Sequence, residues 1–108
     1  MKKVKIVVFV PTTHTQKVLE AIGKSGGGVI GNYSYCSFLS EGVGRFKPNE
    51  KANPFIGKSG EIETVKEDKL EFICPKNKAK SIIKVMKEAH PYEEVAFDIY
   101  PLLDESEL

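Results

Sequence analysis

The fold of this chain is decided by an apolar run near its start, Val4-Lys5-Ile6-Val7-Val8-Phe9-Val10. The run is rich in β-branched residues and almost continuously apolar, which is typical of a central strand covered on both faces. It is too short to span a bilayer, and Pro11-Thr12-Thr13-His14 after it lacks the small-residue cleavage pattern of a secretory signal. We therefore expect a first strand, with other parts of the protein packed on each side of the sheet.

Size and composition indicate one globular domain. The chain has 108 residues, of which 41% are hydrophobic and 29% charged, and these values suit one domain without long disorder. We expect the domain to cover residues 1–103 and residues 104–108 to form an acidic tail. The formal net charge of +1 predicts neither a nucleic-acid nor a membrane partner. Cys36 and Cys74 lack metal or redox spacing, so we expect reduced thiols and a cytoplasmic location.

Hydrophobic periodicity predicts two helices. Thr13 and Gln16 have the spacing of a capping box before a helix over residues 15–24, and Gly26-Gly27-Gly28 ends that helix. A second helix follows Pro75, which suits a first helical turn. Its apolar stripe consists of Ala79, Ile82, Ile83, Met86 and Ala89.

Alternating patterns predict the remaining strands. Residues 29–38 have the pattern of a second strand, and the glycines and prolines of residues 41–57 indicate bends, short edge strands or bulges. Residues 62–74 are predicted to form a β-hairpin that turns at residues 66–69. The last strand is predicted over residues 95–100.

This order of elements is that of a ferredoxin-like βαββαβ domain of the α+β class. Such a domain has an antiparallel sheet with two helices on one face, here with an additional hairpin. The other face stays open, yet the first strand is apolar on both faces and Tyr33 and Tyr35 form an aromatic row. Because a large apolar patch would then face water, we predict a homo-oligomer with packed sheets and these tyrosines buried at the contact.

The densest group of ionisable side chains is His90-Pro91-Tyr92-Glu93-Glu94, at the junction of the second helix and the last strand. Adjacent side chains of an extended strand point to opposite faces, so Glu93 and Glu94 should not share one site. Glu94 and Asp98 share a face but lie about 13 Å apart, too far to act together on one bond. We therefore predict no catalytic residue in this group.

Two interpretations of this group stay open. In the first, His90 caps the C-terminus of the helix with a partly positive imidazole, while Tyr92 and Glu94 bond to a neighbouring subunit. In the second, His90 contributes to a divalent-metal site, and the candidate metal ligands are His90, Glu93, Cys36 and His14.

The stretch Gly42-Val43-Gly44-Arg45-Phe46 is a weaker candidate site. Two glycines let a backbone approach a ligand, and Arg45 could bind an anion. A glycine-bulged β-turn with a solvated arginine is the favoured interpretation. The order of residues does not match the basic-glycine-aromatic signature of RNA-binding domains with this topology. An enzyme that acts on a small phosphorylated compound through Arg45 and His90 is the weakest hypothesis.

Four motifs follow one another along the chain: Gly31-Asn32-Tyr33-Ser34-Tyr35-Cys36-Ser37-Phe38, Gly42-Val43-Gly44-Arg45-Phe46-Lys47-Pro48, Ala52-Asn53-Pro54 with Ile56-Gly57, and His90-Pro91-Tyr92-Glu93-Glu94 with Asp98-Ile99-Tyr100. In this order they resemble the inserted domain of the NGG-interacting-factor-like, or YqfO-like, family. One departure is Val95, which stands where the family motif usually has proline. The His-Pro-Tyr-Glu motif is also similar to that of CutA, the divalent-cation-tolerance protein of the PII-like group.

The resemblance implies a PII/CutA-like homotrimer with the open sheet faces inward and a small ligand or metal ion bound between subunits. In full-length members of the family the two-metal site lies on domains that flank the insert. Because 108 residues leave no room for them, we expect a stand-alone binding or regulatory module without its own catalytic centre. A divalent metal ion is the one candidate cofactor. The candidate ligand or interface residues are His90, Tyr92, Glu93, Glu94, Arg45, Tyr33, Tyr35 and Asn53.

Overall fold

The computed structural model describes residues 2–108, which form a four-stranded antiparallel sheet with two α-helices on one face. The strands are β1 (Lys3–Pro11), β2 (Phe38–Phe46), β3 (Glu63–Pro75) and β4 (Phe97–Pro101), and the helices are α1 (Thr15–Lys24) and α2 (Ala79–Ala89). The strand order is β2-β3-β1-β4, and each neighbouring pair is antiparallel. The predicted ferredoxin-like α+β fold is confirmed. No helix in the described part of the chain is long and apolar enough to cross a membrane.

The core lies between the two helices and one face of the sheet. Alternate residues of β1 point to this face, namely Val4, Ile6, Val8 and Val10, and all four are buried. They pack against alternate residues of β3 and against the apolar stripes of both helices, which include Leu70, Phe72, Val18, Ile22, Ile82 and Met86. The predicted stripe of α2 is confirmed, with Ile83 packed at its edge.

Helix α1 has the predicted bounds but not the predicted cap. His14 precedes the helix without a side-chain capping bond, so the predicted capping box at Thr13 and Gln16 is wrong. The hydroxyl of Thr15 instead donates a buried hydrogen bond of 2.6 Å to Oδ2 of Asp68. This contact places a carboxylate near the positive end of the helix dipole and ties the start of α1 to β3. Gly26, with φ of 96°, ends the helix as predicted.

The predicted position of the second strand is wrong. Residues 29–37 form a loop whose only pairing among the described residues is an isolated bridge between Ile30 and Tyr33. Strand β2 begins at Phe38, lies at the edge of the sheet and contains the glycine stretch. The edge strand predicted there as one alternative is confirmed, and the favoured glycine-bulged turn at Gly42 and Gly44 is wrong. Gly44 suits this strand because its missing side chain leaves room for the carboxylate of Glu67 on the neighbouring strand β3.

The predicted hairpin within residues 62–74 is also wrong, because β3 runs straight through the charged residues. Glu67 and Asp68 point to opposite faces of β3, and each is buried with a hydrogen-bond partner on its own side. The actual hairpin joins β2 to β3 through residues 47–62. Since β3 pairs with β1 from Glu67 onward but with β2 from Glu63, the hairpin projects beyond β1.

The open face of the sheet is not the continuous apolar patch that the sequence suggested. Val7 is buried there, but its neighbours across the sheet are Glu71 and Asp98. Lys5 Nζ lies 3.8 Å from Oε1 of Glu71 on the same face. Charged side chains thus surround Val7 at the centre of this face, with Lys5 on β1, Glu71 on β3 and Asp98 on β4.

Candidate functional site

A groove of about 850 Å³ lies beside the projecting part of the β2–β3 hairpin. Strand β2 forms its floor, and residues 47–56 and 92–96 form its walls; we call it the hairpin groove. Its volume is in the range of small-molecule sites, which is about 300–1,000 Å³. Its lining includes Phe46, Phe55, Glu67, Lys69, Tyr92 and Glu93.

His90 is a structural residue at the end of α2. Its Nε2 atom lies 2.7 Å from the carbonyl oxygen of Phe9, and its Nδ1 atom accepts a hydrogen bond of 3.2 Å from the backbone N–H of Tyr92. This arrangement requires a neutral ring with the proton on Nε2. Burial lowers the pKa of His90 and outweighs the opposing effects of the Phe9 carbonyl and Glu67. The predicted partly positive imidazole is therefore wrong, because the ring is buried against β1.

Tyr92 reaches across to β3. Its hydroxyl donates a hydrogen bond of 2.9 Å to Oε2 of Glu67, a residue that is only 9% exposed. A Cβ atom on Gly44 would lie 2.0 Å from Oε1 of Glu67, so the bare glycine backbone makes room for the carboxylate. Burial and this hydrogen bond raise the pKa of Tyr92. The phenol is therefore held protonated as a hydrogen-bond donor.

Glu93 holds the loop that forms one wall of the groove. Its Oε2 atom accepts a hydrogen bond of 2.7 Å from the backbone N–H of Asn53. His90, Tyr92 and Glu93 thus contact β1, β3 and the hairpin loop respectively. The motif joins three separate parts of the fold at one end of the sheet.

Aromatic rings pack around Tyr92. Its ring centroid lies 5.0 Å from that of His90, 5.9 Å from that of Phe46 and 6.4 Å from that of Phe55. The ring of His14 packs edge-on against Phe55 at 5.4 Å. Phe55 is 54% exposed, so the cluster is open to the groove on one side.

The structure brings some of the predicted ligand or interface residues together and separates others. Tyr92, Glu93, Glu94 and Arg45 line the hairpin groove, and Asn53 lies beside it through its bond to Glu93. Tyr33 and Tyr35 lie elsewhere, on the loop before β2, and are 75% and 51% exposed. The ring of Tyr35 lies against α1, at the position where a Cβ atom on Gly23 would fall.

The candidate metal ligands do not meet within one chain. The described residues contain no group of three or more His, Cys, Asp or Glu side chains placed to hold a metal ion. Both ring nitrogens of His90 are already bonded, and Cys36 Sγ lies 3.9 Å from the carbonyl oxygen of Ser34. His14 bonds to Thr13 through Nδ1. The residues of a single chain therefore do not fit a metal site, and a site shared between subunits stays a prediction.

Sequence reasoning missed Glu67, Phe46 and Phe55 as site residues. Glu67 was assigned to a turn because it stands in a run of four charged residues. That run contains no glycine, proline or asparagine, which is the signal that could have indicated a continuing strand.

Comparison with known proteins gives a clear but partial match. No protein-family model matches the chain. A curated protein of Halalkalibacterium halodurans named GTP cyclohydrolase 1 type 2 homolog is 54% identical over 103 residues, which cover 95% of this chain and 28% of that protein. The protein of the same name from Bacillus subtilis is 51% identical over 98 residues, 91% of this chain and 26% of that protein. This chain is similar to one segment of a longer protein. It spans about a quarter of the length of these curated relatives.

Solved structures support the same conclusion. A Bacillus cereus protein related to NIF3 superposes with a TM-score of 0.83 and is 48% identical over 95% of this chain and 26% of its own. The periplasmic divalent cation tolerance protein CutA from Archaeoglobus fulgidus superposes with a TM-score of 0.69 over 94% of this chain and 85% of its own, at 12% identity. The second likeness concerns the fold alone. The predicted resemblance to NIF3-related proteins and the CutA-like fold are confirmed.

Proposed function

We propose that this chain is a non-catalytic binding module and that the hairpin groove is its ligand site. The observation that carries the proposal is the groove itself, which combines aromatic rings with charged side chains beside a well-bonded motif. Ligand sites in proteins typically combine apolar walls with a few placed polar groups. Two of the groove walls are held by Tyr92 and Glu93, so the site is preformed in the single chain.

The state of the ionisable groups favours binding over catalysis. A general acid or base needs a proton-transfer group free to reach the substrate, with a pKa near the working pH. Both ring nitrogens of His90 already form hydrogen bonds within the chain. The pKa of Tyr92 is raised, and its hydroxyl already donates a hydrogen bond to Glu67. Neither cysteine lines the groove. We therefore propose no cyclohydrolase activity for this segment, although its curated relatives carry that name.

The assembly that we propose is a cytoplasmic homotrimer in which the open sheet faces meet. Because Glu67 and Lys69 lie on the same face of β3 as Glu71, the hairpin groove would then form a cleft at the edge of the contact between subunits. The resemblance of the sequence motifs to the PII/CutA-like group supports this assembly. Exposed aromatic side chains on the open face, such as Phe38 opposite Glu71 and Tyr100 opposite Lys5, would lie in the contact. Sedimentation velocity should give three times the 12.0 kDa mass of one chain; a stable monomer would contradict this part.

A blocked groove tests the ligand site. A Cβ atom on Gly42 has open space around it, with the nearest non-neighbouring atom 3.9 Å away, so Gly42→Leu should fill the groove without moving β2. Native mass spectrometry after incubation with a small-molecule cell extract should show a bound species on the wild type that Gly42→Leu loses. Ile30→Leu, which exchanges an exposed apolar side chain in the loop before β2 and outside the groove, is the matched control. Equal retention by all three proteins would refute the groove as the site.

The second candidate function is divalent-metal binding between subunits, through His90, Glu93, Cys36 or His14. It would require His90 to exchange one of its two hydrogen bonds for a metal ion. Calorimetric titration of the wild type and His90→Ala with divalent ions tests it. Negligible heats in both proteins would remove this candidate.

A further inference from the structure

We propose that the hairpin groove binds the alkylammonium head group of a small molecule, held against Tyr92, Phe46 and Phe55 and beside the carboxylate of Glu67. The inference rests on the proposed function, because it names the class of ligand for the same groove. Two independent features of the groove carry it: an open aromatic cluster and a buried carboxylate without a cationic partner.

The aromatic cluster has the form of a partial cage. The rings of Phe46 and Phe55 both pack against Tyr92, with centroids 5.9 Å and 6.4 Å from it and interplanar angles of 60° and 47°. None of these rings stacks flat on Tyr92, and all three residues line the groove. Tetraalkylammonium groups bind in such aromatic surroundings because the negative faces of the rings attract the spread positive charge.

Glu67 supplies a formal negative charge at the base of this cluster. Its side chain is 9% exposed and accepts a hydrogen bond from the neutral hydroxyl of Tyr92. The single ion pair among residues 2–108 joins Lys5 to Glu71, so no lysine or arginine is paired with Glu67. Lys69 lies two residues further on the same face of β3 and also forms no ion pair. A buried carboxylate is stabilised by a nearby positive charge, and a ligand cation would supply it.

The same features favour an organic cation over a metal ion. Calcium and magnesium are held by several oxygen ligands in a close shell, part of them water, and the described residues contain no group of three or more His, Cys, Asp or Glu side chains placed to hold a metal ion. An alkylammonium group needs only aromatic faces and one nearby charge. The shape and the composition of the groove therefore fit a soft, bulky cation.

A pair of isosteric probes tests the charge requirement. Choline and its neutral carbon analogue, 3,3-dimethylbutan-1-ol, have nearly the same shape but differ in charge. We expect choline to shift the backbone amide signals of Gly44, Phe55 and Tyr92 saturably in two-dimensional NMR, and the neutral analogue to bind more weakly. Glu67→Gln keeps an acceptor for the Tyr92 hydroxyl but removes the charge, so it should reduce the preference for choline to the part that the aromatic rings supply.

A second pair of variants tests the aromatic part without risk to the fold. Phe55 is 54% exposed, so Phe55→Ala should fold normally and weaken choline binding about 2- to 5-fold. Leu103→Ala, which removes an exposed apolar side chain outside the groove, should leave the affinity unchanged. Equal affinity for both probes would overturn the ammonium proposal but leave the groove as a ligand site. Choline shifts confined to residues outside the groove, or no shifts with choline, would also overturn it. Failure of the proposed function is distinct, since it would appear as Gly42→Leu leaving all binding unchanged.

Discussion

The hydroxyl of Tyr92 lies 2.9 Å from Oε2 of Glu67 and joins the connection between α2 and β4 to the middle of β3. The two residues are 25 positions apart in sequence. The contact fixes one wall of the hairpin groove relative to its floor, because Glu67 lies opposite Gly42 of β2. It is also the contact on which most of the site geometry depends.

Removal of the Tyr92 hydroxyl should destabilise the fold. Tyr92→Phe keeps the ring but leaves the buried carboxylate of Glu67 without its donor, and an unsatisfied buried group costs about 1–3 kcal/mol. Urea unfolding should show this loss in the free energy of unfolding. Tyr33→Phe is the matched control, because Tyr33 is 75% exposed, and it should change stability by less than about 0.5 kcal/mol. Equal effects of the two substitutions would show that the contact contributes nothing.

The two glycines of β2 should respond differently to alanine. Gly44→Ala places a methyl group 2.0 Å from the present position of Oε1 of Glu67, so the carboxylate must move and weaken its bond to Tyr92. We expect a cost of about 1–3 kcal/mol. Gly42→Ala has open space and should be neutral or stabilising by up to about 1 kcal/mol, since glycine weakens a strand.

A double substitution separates the mechanism of Gly44→Ala from a general effect on the strand. In a Tyr92→Phe background the carboxylate has no hydroxyl to lose, so Gly44→Ala should cost less than it does in the wild type. Chemical unfolding of the four proteins of this cycle measures the coupling. Strictly additive costs would contradict the proposed displacement of Glu67.

His90 should make the fold sensitive to mild acid. Burial lowers its pKa in the folded state, so the unfolded chain binds a proton more readily, starting near the ordinary value of about 6.5. Stability should therefore fall as the pH drops through and below about 6.5. The free energy of unfolding should decrease more between about pH 7.5 and about pH 5.5 in the wild type than in His90→Gln, which has no imidazole to protonate. An identical pH dependence in both would rule out His90 as the source.

Glu93 should control the mobility of the hairpin loop. Glu93→Ala removes the acceptor for the backbone N–H of Asn53, so hydrogen exchange at this amide should accelerate about 2- to 10-fold. Glu94→Ala is the control, because Glu94 is a neighbouring exposed carboxylate and the N–H of Asn53 bonds to Glu93 instead. Acceleration by both substitutions would indicate a general effect of charge rather than loss of this bond.

The sequence pattern correctly predicted those elements whose structure depends on the residues of one segment alone. The β-branched run of β1 and the apolar stripe of α2 depend on the periodicity of a single element, and both were correct. The position of His90 at a helix end followed from Pro91, which cannot continue a helix. The ferredoxin-like order of elements then followed from these anchors.

The strand and groove assignments that failed depend on distant partners. Glu67 and Asp68 look like turn residues in sequence, but each is buried by a partner far along the chain, Tyr92 or Thr15. Similarly, residues 29–37 alternate like a strand but lie in a loop, because β3 pairs with residues 38–46 instead. Pairing between strands is decided by long-range contacts, which the pattern of one segment does not contain.

The adjacent carboxylates Glu67 and Asp68 specify the register of β3 in the sheet. Glu67 reaches its phenol on one face and Asp68 reaches its hydroxyl at the start of α1 on the other. A slip of one residue would exchange the two faces and leave both acids buried beside the wrong partners. Two neighbouring charges that seemed to mark a turn thus penalise every misaligned pairing, which helps a long strand of 13 residues settle in a single position.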